Sequence, residues 1–257
     1  MKIFKELYNY RELIKTSVKK DVGGKYKHSF LGVLWSFVNP LLQIAVYAII
    51  FPLIMRSNIP NYTVFMVCGL IPWNFFATVL NRATYTMIEN GNIIKKVYFP
   101  RSILPLSMVT SETVNFLIST IIIIAFSLIY GMGLSVYMLL YPILLVIQYI
   151  LLLGISYILS SITVFFRDLQ HIVGVIMQLL FYATPVVYSI DTIPANYQWI
   201  LKLNPMTYII EGYRNIVYYQ TMPDMKKIGI VLVLGIVLTI IGYFIFNKLQ
   251  KKFAEEL

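Results

Sequence analysis

From Thr113 to Phe166 the chain runs fifty-four residues without an Asp, Glu, Lys, Arg or His. One straight helix of that length would reach roughly 80 Å, against a hydrocarbon core of about 30 Å. The stretch must therefore cross a membrane twice, and Gly131-Met132-Gly133 in its middle is the expected turn. The chain is then polytopic, and its remaining features are read with the bilayer as solvent. Only 12% of its 257 residues are charged, about half the share in a soluble domain. Almost the whole length is committed to the membrane.

Several function classes fall away. Cys68 is the only cysteine, so there is neither a disulfide framework nor zinc spacing. His28 and His171 are far apart, and a metal site is not expected. No internal repeat points to a secondary transporter built from inverted halves. The first twenty residues are charged throughout, unlike a cleavable signal peptide. A net charge of +10 suggests nucleic acid only until the basic residues are placed.

Six spans can be drawn, at about 33–55, 63–84, 103–130, 136–166, 169–188 and 228–246. Sixteen of the 21 Lys and Arg residues then fall on one side. Only Arg56, Lys202, Arg214, Lys226 and Lys227 fall on the other. Positive loops stay in the cytoplasm, which predicts two cytoplasmic termini and accounts for the charge without nucleic acid. Residues 3–20 read as an amphipathic helix, with Ile3, Leu7, Tyr10, Ile14 and Val18 on one face and charges on the rest. A basic helix beside a first span belongs in the cytoplasmic interface.

Two connections stand out. The cytoplasmic segment 85–100 is longer than a turn and suits one short projecting helix. The external segment 189–227 is too apolar for a solvated loop. Asn204-Pro205 reads as N-cap and first residue of a helix running to about Gln220, and 195–203 suits a shorter helix before it. Two helices that dip back without crossing fit this pattern. The fold expected is all-α: six transmembrane helices, an N-terminal interface helix and two external re-entrant helices, in one permease domain over 1–257.

No nucleotide site is legible. Gly23-Gly24-Lys25 lacks the spacing and the following Ser or Thr of a phosphate loop, and reads as a flexible joint between the interface helix and the first span. Glu112 is the only acid clearly inside a span, and is either functional or paired with a neighbouring helix. Arg167-Asp168 reads as an anchor with a local ion pair, or as a guard at the cytoplasmic mouth. Glu211 and Arg214, three apart, suit a structural ion pair. The many external Tyr and Trp residues fit an interfacial belt or stacking platforms for sugar rings.

Six motifs in order carry a resemblance. They are Tyr26-x-x-Ser29-x-Leu31-Gly32-x-x-Trp35 with Pro40, Gly69-x-x-Pro72-Trp73-x-Phe75-Phe76, Asn92-Ile93-Ile94-Lys95-Lys96-Val97-x-Phe99-Pro100, Phe165-Phe166-Arg167-Asp168, Thr184-Pro185-x-x-Tyr188, and Asn204-Pro205 with Arg214. The chain resembles, over nearly its full length, the polysaccharide-exporting permeases of the type-2 ABC exporter superfamily. Thr184 stands where Ser is common in the family. The resemblance implies a homodimer in the bacterial cytoplasmic membrane, joined by two copies of a separate ATPase that holds ATP and Mg, with no cofactor in this chain. The implied cargo is a lipid-linked glycan of the O-antigen, capsule, rhamnan or teichoic acid type.

The resemblance also assigns roles. Glu89, Asn92, Ile93, Ile94, Lys95, Lys96 and Val97 would couple to the ATPase. Lys25, Tyr26, Lys27, Leu31, Gly32 and Arg167 would form the cytoplasmic substrate entrance, where the basic groups suit a lipid pyrophosphate. Trp73, Phe76, Tyr182, Pro185, Tyr188, Asn204, Pro205 and Arg214 would form the channel and its external gate. The competing readings are a drug or small-lipid exporter of the same superfamily and a membrane-embedded glycan enzyme. The enzyme would need acids or His clustered at one membrane face, and the sequence lacks such a cluster.

Overall fold

A computed structural model describes residues 8–24, 32–55 and 59–257. Its helices are α1 (Arg11–Gly24), α2 (Trp35–Met55), α3 (Tyr62–Glu89), α4 (Gly91–Lys96), α5 (Ile103–Ile129), α6 (Tyr141–Thr163), α7 (Leu169–Tyr182), α8 (Gln198–Lys202), α9 (Pro205–Val217), α10 (Met225–Leu249) and α11 (Phe253–Glu256). Among the described residues no strand occurs. Five helices or helix runs, containing α2, α3, α5, α6 and α10, are long and apolar enough to cross a membrane. The chain is a multi-pass, all-α membrane protein.

α3 is the centre of the bundle. It packs against α2, α5, α6, α7 and α9, and most of its side chains are buried. In lipid, apolar surface alone does not drive helices together, so close contact comes from small residues and polar bonds. The seam between α6 and α10 shows the first device. Gly154 lies against the backbone of Leu238 and Thr239, and Gly242 against the carbonyl of Gly154. The second device is seen at Pro72 of α3, whose carbonyl accepts from Gln148 Nε2 on α6 at 2.9 Å.

The turn between α5 and α6 falls where the sequence places it. Gly131 and Gly133 adopt φ of 70° and 71°, which L residues with side chains rarely tolerate. Ser127 Oγ donates to the Gly133 carbonyl and Gln220 Nε2 to that of Met132, fixing the turn. This end of the bundle is called the outer end below, following the orientation expected from charge. Asp224 N-caps α10, and its bond with Lys227 holds its carboxyl below the usual range.

Two expectations are corrected here. The fifth span, drawn over 169–188, is helical only through Tyr182, because Pro185 lacks an N–H and disfavours helix at Thr184. The resulting α7 has 14 residues, about 21 Å. Gly23 and Gly24 are not a joint: both are helical and end α1. α1 packs along α5 and stops there, with Lys25, Tyr26, Lys27 and Leu31 outside the described residues.

Candidate functional site

At the outer end the segment after α7 folds into a knot tied by side chains. Three consecutive carbonyls, of Val186, Val187 and Tyr188, accept from side chains elsewhere. Arg214 Nη2 donates to Val186 at 2.6 Å, Tyr62 Oη to Val187 at 2.6 Å and Arg214 Nη1 to Tyr188 at 3.3 Å. Arg214 Nε also reaches the Phe65 carbonyl at 3.3 Å, and its guanidinium lies 3.6 Å from the Phe65 ring centre. The side chain is 2% exposed. Arg214 therefore joins α9, α3 and the 186–188 segment, and the expected ion pair with Glu211 does not form. Gly69 makes the arrangement possible, since a Cβ there would sit 2.5 Å from the Val186 carbonyl.

α8 and α9 form the two short helices expected between 189 and 227. Asn204 N-caps α9 by accepting from Met206 N, and Pro205 takes the first helical position. The Asn204 amide also donates to Thr184 Oγ1 at 2.7 Å. The tip of the hairpin, Leu203–Pro205, shares an apolar cavity of about 510 Å³ with Phe76, Leu80, Ile155 and Leu159. It thus reaches the middle of α3 and α6. α9 then returns outward, and Tyr218 Oη donates to the Pro60 carbonyl. Inside this return, Tyr213 packs on Tyr141 and Phe116, with ring centres 4.8 and 6.0 Å away.

The residues assigned to channel and gate divide in two. Tyr182, Pro185, Tyr188, Asn204, Pro205 and Arg214 come together in this knot, but Pro185, Tyr188 and Arg214 are buried in it. Trp73 and Phe76 are also buried, against each other, with Trp73 on Phe181 as well. Tyr182 is exposed, as are Tyr197 and Trp199 on the same outer segment. Exposed rings on this outer segment are therefore fewer than the sequence suggested.

At the opposite end α4 presents a mixed face. Asn92, Ile93, Lys95, Lys96 and Val97 are exposed, as is Glu89 just before the helix. Ile94 is not: at 4% exposure it packs with Met87, Phe99, Phe246 and Phe253. The apolar residues among those assigned to coupling are split: Ile93 and Val97 are exposed, and Ile94 anchors α4 to the end of α10 and to α11. Tyr98, passed over in the sequence, is 98% exposed. Arg101 donates to the Gln250 carbonyl and ties the same corner. Gly32 opens the turn before α2 with φ 49°, the one described position of the expected entrance besides Arg167. Arg167 and Asp168 are both exposed and, among the described residues, make no ion pair.

The intramembrane acid has a partner. Glu112 Oε1 lies 2.5 Å from Arg82 Nη1, and its Oε2 accepts from Asn115 Nδ2 at 3.1 Å. Arg82 also reaches Asp21 of α1 at 3.5 Å, so the interface helix is held to α3 and α5 by charge. The sequence counted Arg82 only for orientation. Further polar residues were missed: Asn39 and Gln43 on α2, Asn74 and Thr78 on α3, and Ser119 on α5. Their three-, four- and seven-residue spacings inside apolar runs were the available signal.

A bundle of apolar, membrane-length helices with a short helical hairpin packed into one end is the architecture of a multi-pass membrane protein. The chain belongs to the ABC-2 type transporter family, whose profile matches residues 12–218. Among curated relatives it is 42% identical to an O-antigen export system permease protein RfbA of Klebsiella pneumoniae, over 95% of this chain and 94% of the relative. It is 36% identical to the RfbA protein of Myxococcus xanthus over the full length of both. The polysialic acid transport protein KpsM of Escherichia coli is more distant, at 24% over 90% of this chain and 88% of the relative.

Proposed function

We propose that the chain is the membrane-spanning subunit of an ATP-driven exporter that moves a lipid-linked polysaccharide of the O-antigen or capsule type across the bacterial cytoplasmic membrane. The observation that carries this reading is similarity over 90% or more of the chain to relatives whose names specify O-antigen export and polysialic acid transport. The working unit is a homodimer with two copies of a separate ABC ATPase, both termini of each permease lying in the cytoplasm. A sugar polymer cannot enter hydrocarbon unaided, because each hydroxyl left without a partner costs several kcal/mol. A protein path at the dimer axis removes that cost.

The parts take the following roles. The ATPase docks on the exposed side of α4, where Ile93 and Val97 are flanked by Lys95 and Lys96, with Tyr98 beside them. Its movement passes through Ile94 into the Phe246–Phe253 cluster and so to α10 and α6. The lipid pyrophosphate is drawn to the basic cytoplasmic rim, where Arg167 is exposed and Lys25 and Lys27 stand in sequence before α2. The outer knot swings as one body to let the polymer leave, with exposed Tyr182, Tyr197 and Trp199 as sliding surfaces for C–H faces of sugar rings.

The test is deletion of the gene in its source cell. Lipid-linked glycan should accumulate on the inner side while the surface polymer disappears, and the intact gene should restore both. Normal surface polysaccharide in the deletion strain would overturn the proposal. The purified chain should hydrolyse no ATP until its ATPase partner is added.

A further inference from the structure

Between α2, α3 and α5 lies a cavity of about 240 Å³. Each helix brings a polar row to it. α2 supplies Ser36, Asn39 and Gln43, at spacings of three and four. α3 supplies Asn74 and Thr78, one turn apart, and α5 supplies Glu112, Asn115 and Ser119. Such spacings place each row on one side of its helix. Polar groups within an apolar span are costly and usually serve a pathway or a ligand. Here three helices aim theirs at one space.

The chemistry of the lining is selective. Four amides, each able to donate and accept, share the walls with the Ser36, Thr78 and Ser119 hydroxyls. The Asn74 amide donates to Gln43 Oε1 at 2.8 Å, which fixes both side chains and leaves the Asn74 oxygen to accept. Among the described residues Asn39 and Thr78 have no side-chain bond. The one carboxylate, Glu112, bonds Arg82 and Asn115, and among the described residues no lysine or arginine lines the space. The Trp35, Phe75 and Phe116 rings complete the wall.

Amides that read neighbouring hydroxyls, together with the Trp35 ring as cover for a C–H face, match a pyranose, while Phe75 and Phe116, stacked with centres 4.8 Å apart, form the apolar backing. We infer that this cavity binds one neutral pyranose ring of the lipid-linked cargo, a step that rests on the glycan-export reading above. The volume equals about eight waters at about 30 Å³ each. It holds one ring at a time, and its open side, where Asn39 is exposed, leaves room for the chain to continue. The site lies on the protomer's own helices, beside the ion pair that ties α1 to α5, so sugar binding and the seat of the interface helix share Glu112 and Asn115.

Saturation-transfer NMR on the permease–ATPase complex in lipid nanodiscs tests this. The probes are methyl glycosides of glucose, galactose, mannose, rhamnose and N-acetylglucosamine. At least one should receive saturation at its ring C–H protons. Asn74→Leu should weaken binding roughly three- to tenfold, the effect of one lost hydrogen bond. Thr78→Val, which keeps the side-chain shape, should act in the same direction if Asn74→Leu does not assemble. Lipid-linked glycan should displace the signal. No transfer to any probe, transfer unchanged in the variants, or a signal the glycan does not displace would each overturn the inference. ATP-driven glycan export by the same complex in vesicles separates the two levels. Export without saturation transfer sinks the sugar site alone, and transfer without export sinks the export reading.

Discussion

Replacing Arg214 by Met should loosen the outer knot by an amount that can be worked out. The change leaves the Val186 and Tyr188 carbonyls buried without their donor, while Phe65, inside α3, keeps its helical partner. Hydrogen bonds to a charged group contribute about 1.5–3 kcal/mol each, so two amount to about 3–6 kcal/mol. Part of this returns, because burying the guanidinium itself costs several kcal/mol that the apolar side chain avoids. The net weakening expected is about 2–4 kcal/mol. The sole cysteine, Cys68, is fully buried next to Gly69 and reports on it. If the thiol reacts only through local opening, its rate follows the open population. Labelling with a membrane-permeant maleimide should then accelerate by roughly one and a half to three orders of magnitude. Arg214→Lys, which keeps charge but loses the planar fork, should fall in between. Gly69→Ala should act like Arg214→Met, since its Cβ would strike the Val186 carbonyl. An unchanged labelling rate in Arg214→Met would refute the argument that this side chain holds the knot closed.

Other perturbations separate the remaining parts. Gly242→Ala places a Cβ 2.5 Å from the Gly154 carbonyl, so α6 and α10 should part at a cost of about 1–3 kcal/mol, read as a lower melting temperature in detergent. Ile93→Asp should cut ATP-coupled export at unchanged melting temperature, whereas Ile94→Asp should lower the melting temperature because it places a charge in the Phe246–Phe253 cluster. Arg82→Met takes one charged hydrogen bond from the Glu112 carboxylate and should destabilise the protein by about 1.5–3 kcal/mol, with Arg82→Met/Glu112→Gln recovering part of the loss; equal stability of single and double variants would show that the pair is not coupled.

The sequence disclosed what depends on local rules. A fifty-four-residue uncharged run has to cross twice, and Gly131 and Gly133 turn because only glycine takes their φ cheaply. Asn204-Pro205 starts a helix through its own cap. What stayed hidden depended on partners far along the chain. The apolar run through Val186, Val187 and Tyr188 looked like a continuing span, because hydropathy does not register that Pro185 stops the helix. Spacing offered Glu211 to Arg214, yet backbone carbonyls from two other segments bind the guanidinium. Ile94 looked like part of a docking ridge because nothing local shows Phe253 covering it. The polar rows were legible in principle through their three- and four-residue spacings, but only the meeting of three helices shows that they face one space.

The shortness of α7 has an electrical consequence. Its roughly 21 Å falls about 9 Å short of the hydrocarbon thickness. The hairpin occupies the remaining outer layer there, with amide and hydroxyl dipoles at Asn204 and Thr184 and exposed rings at Tyr182 and Trp199. Where water reaches those dipoles, this sector insulates over a shorter distance than the surrounding lipid. The membrane voltage falls over a shorter distance in it, and the local field is correspondingly steeper. On the export reading proposed above, a phosphate on the cargo's lipid end would feel that field, at about 2.3 kcal/mol per elementary charge for each 100 mV crossed.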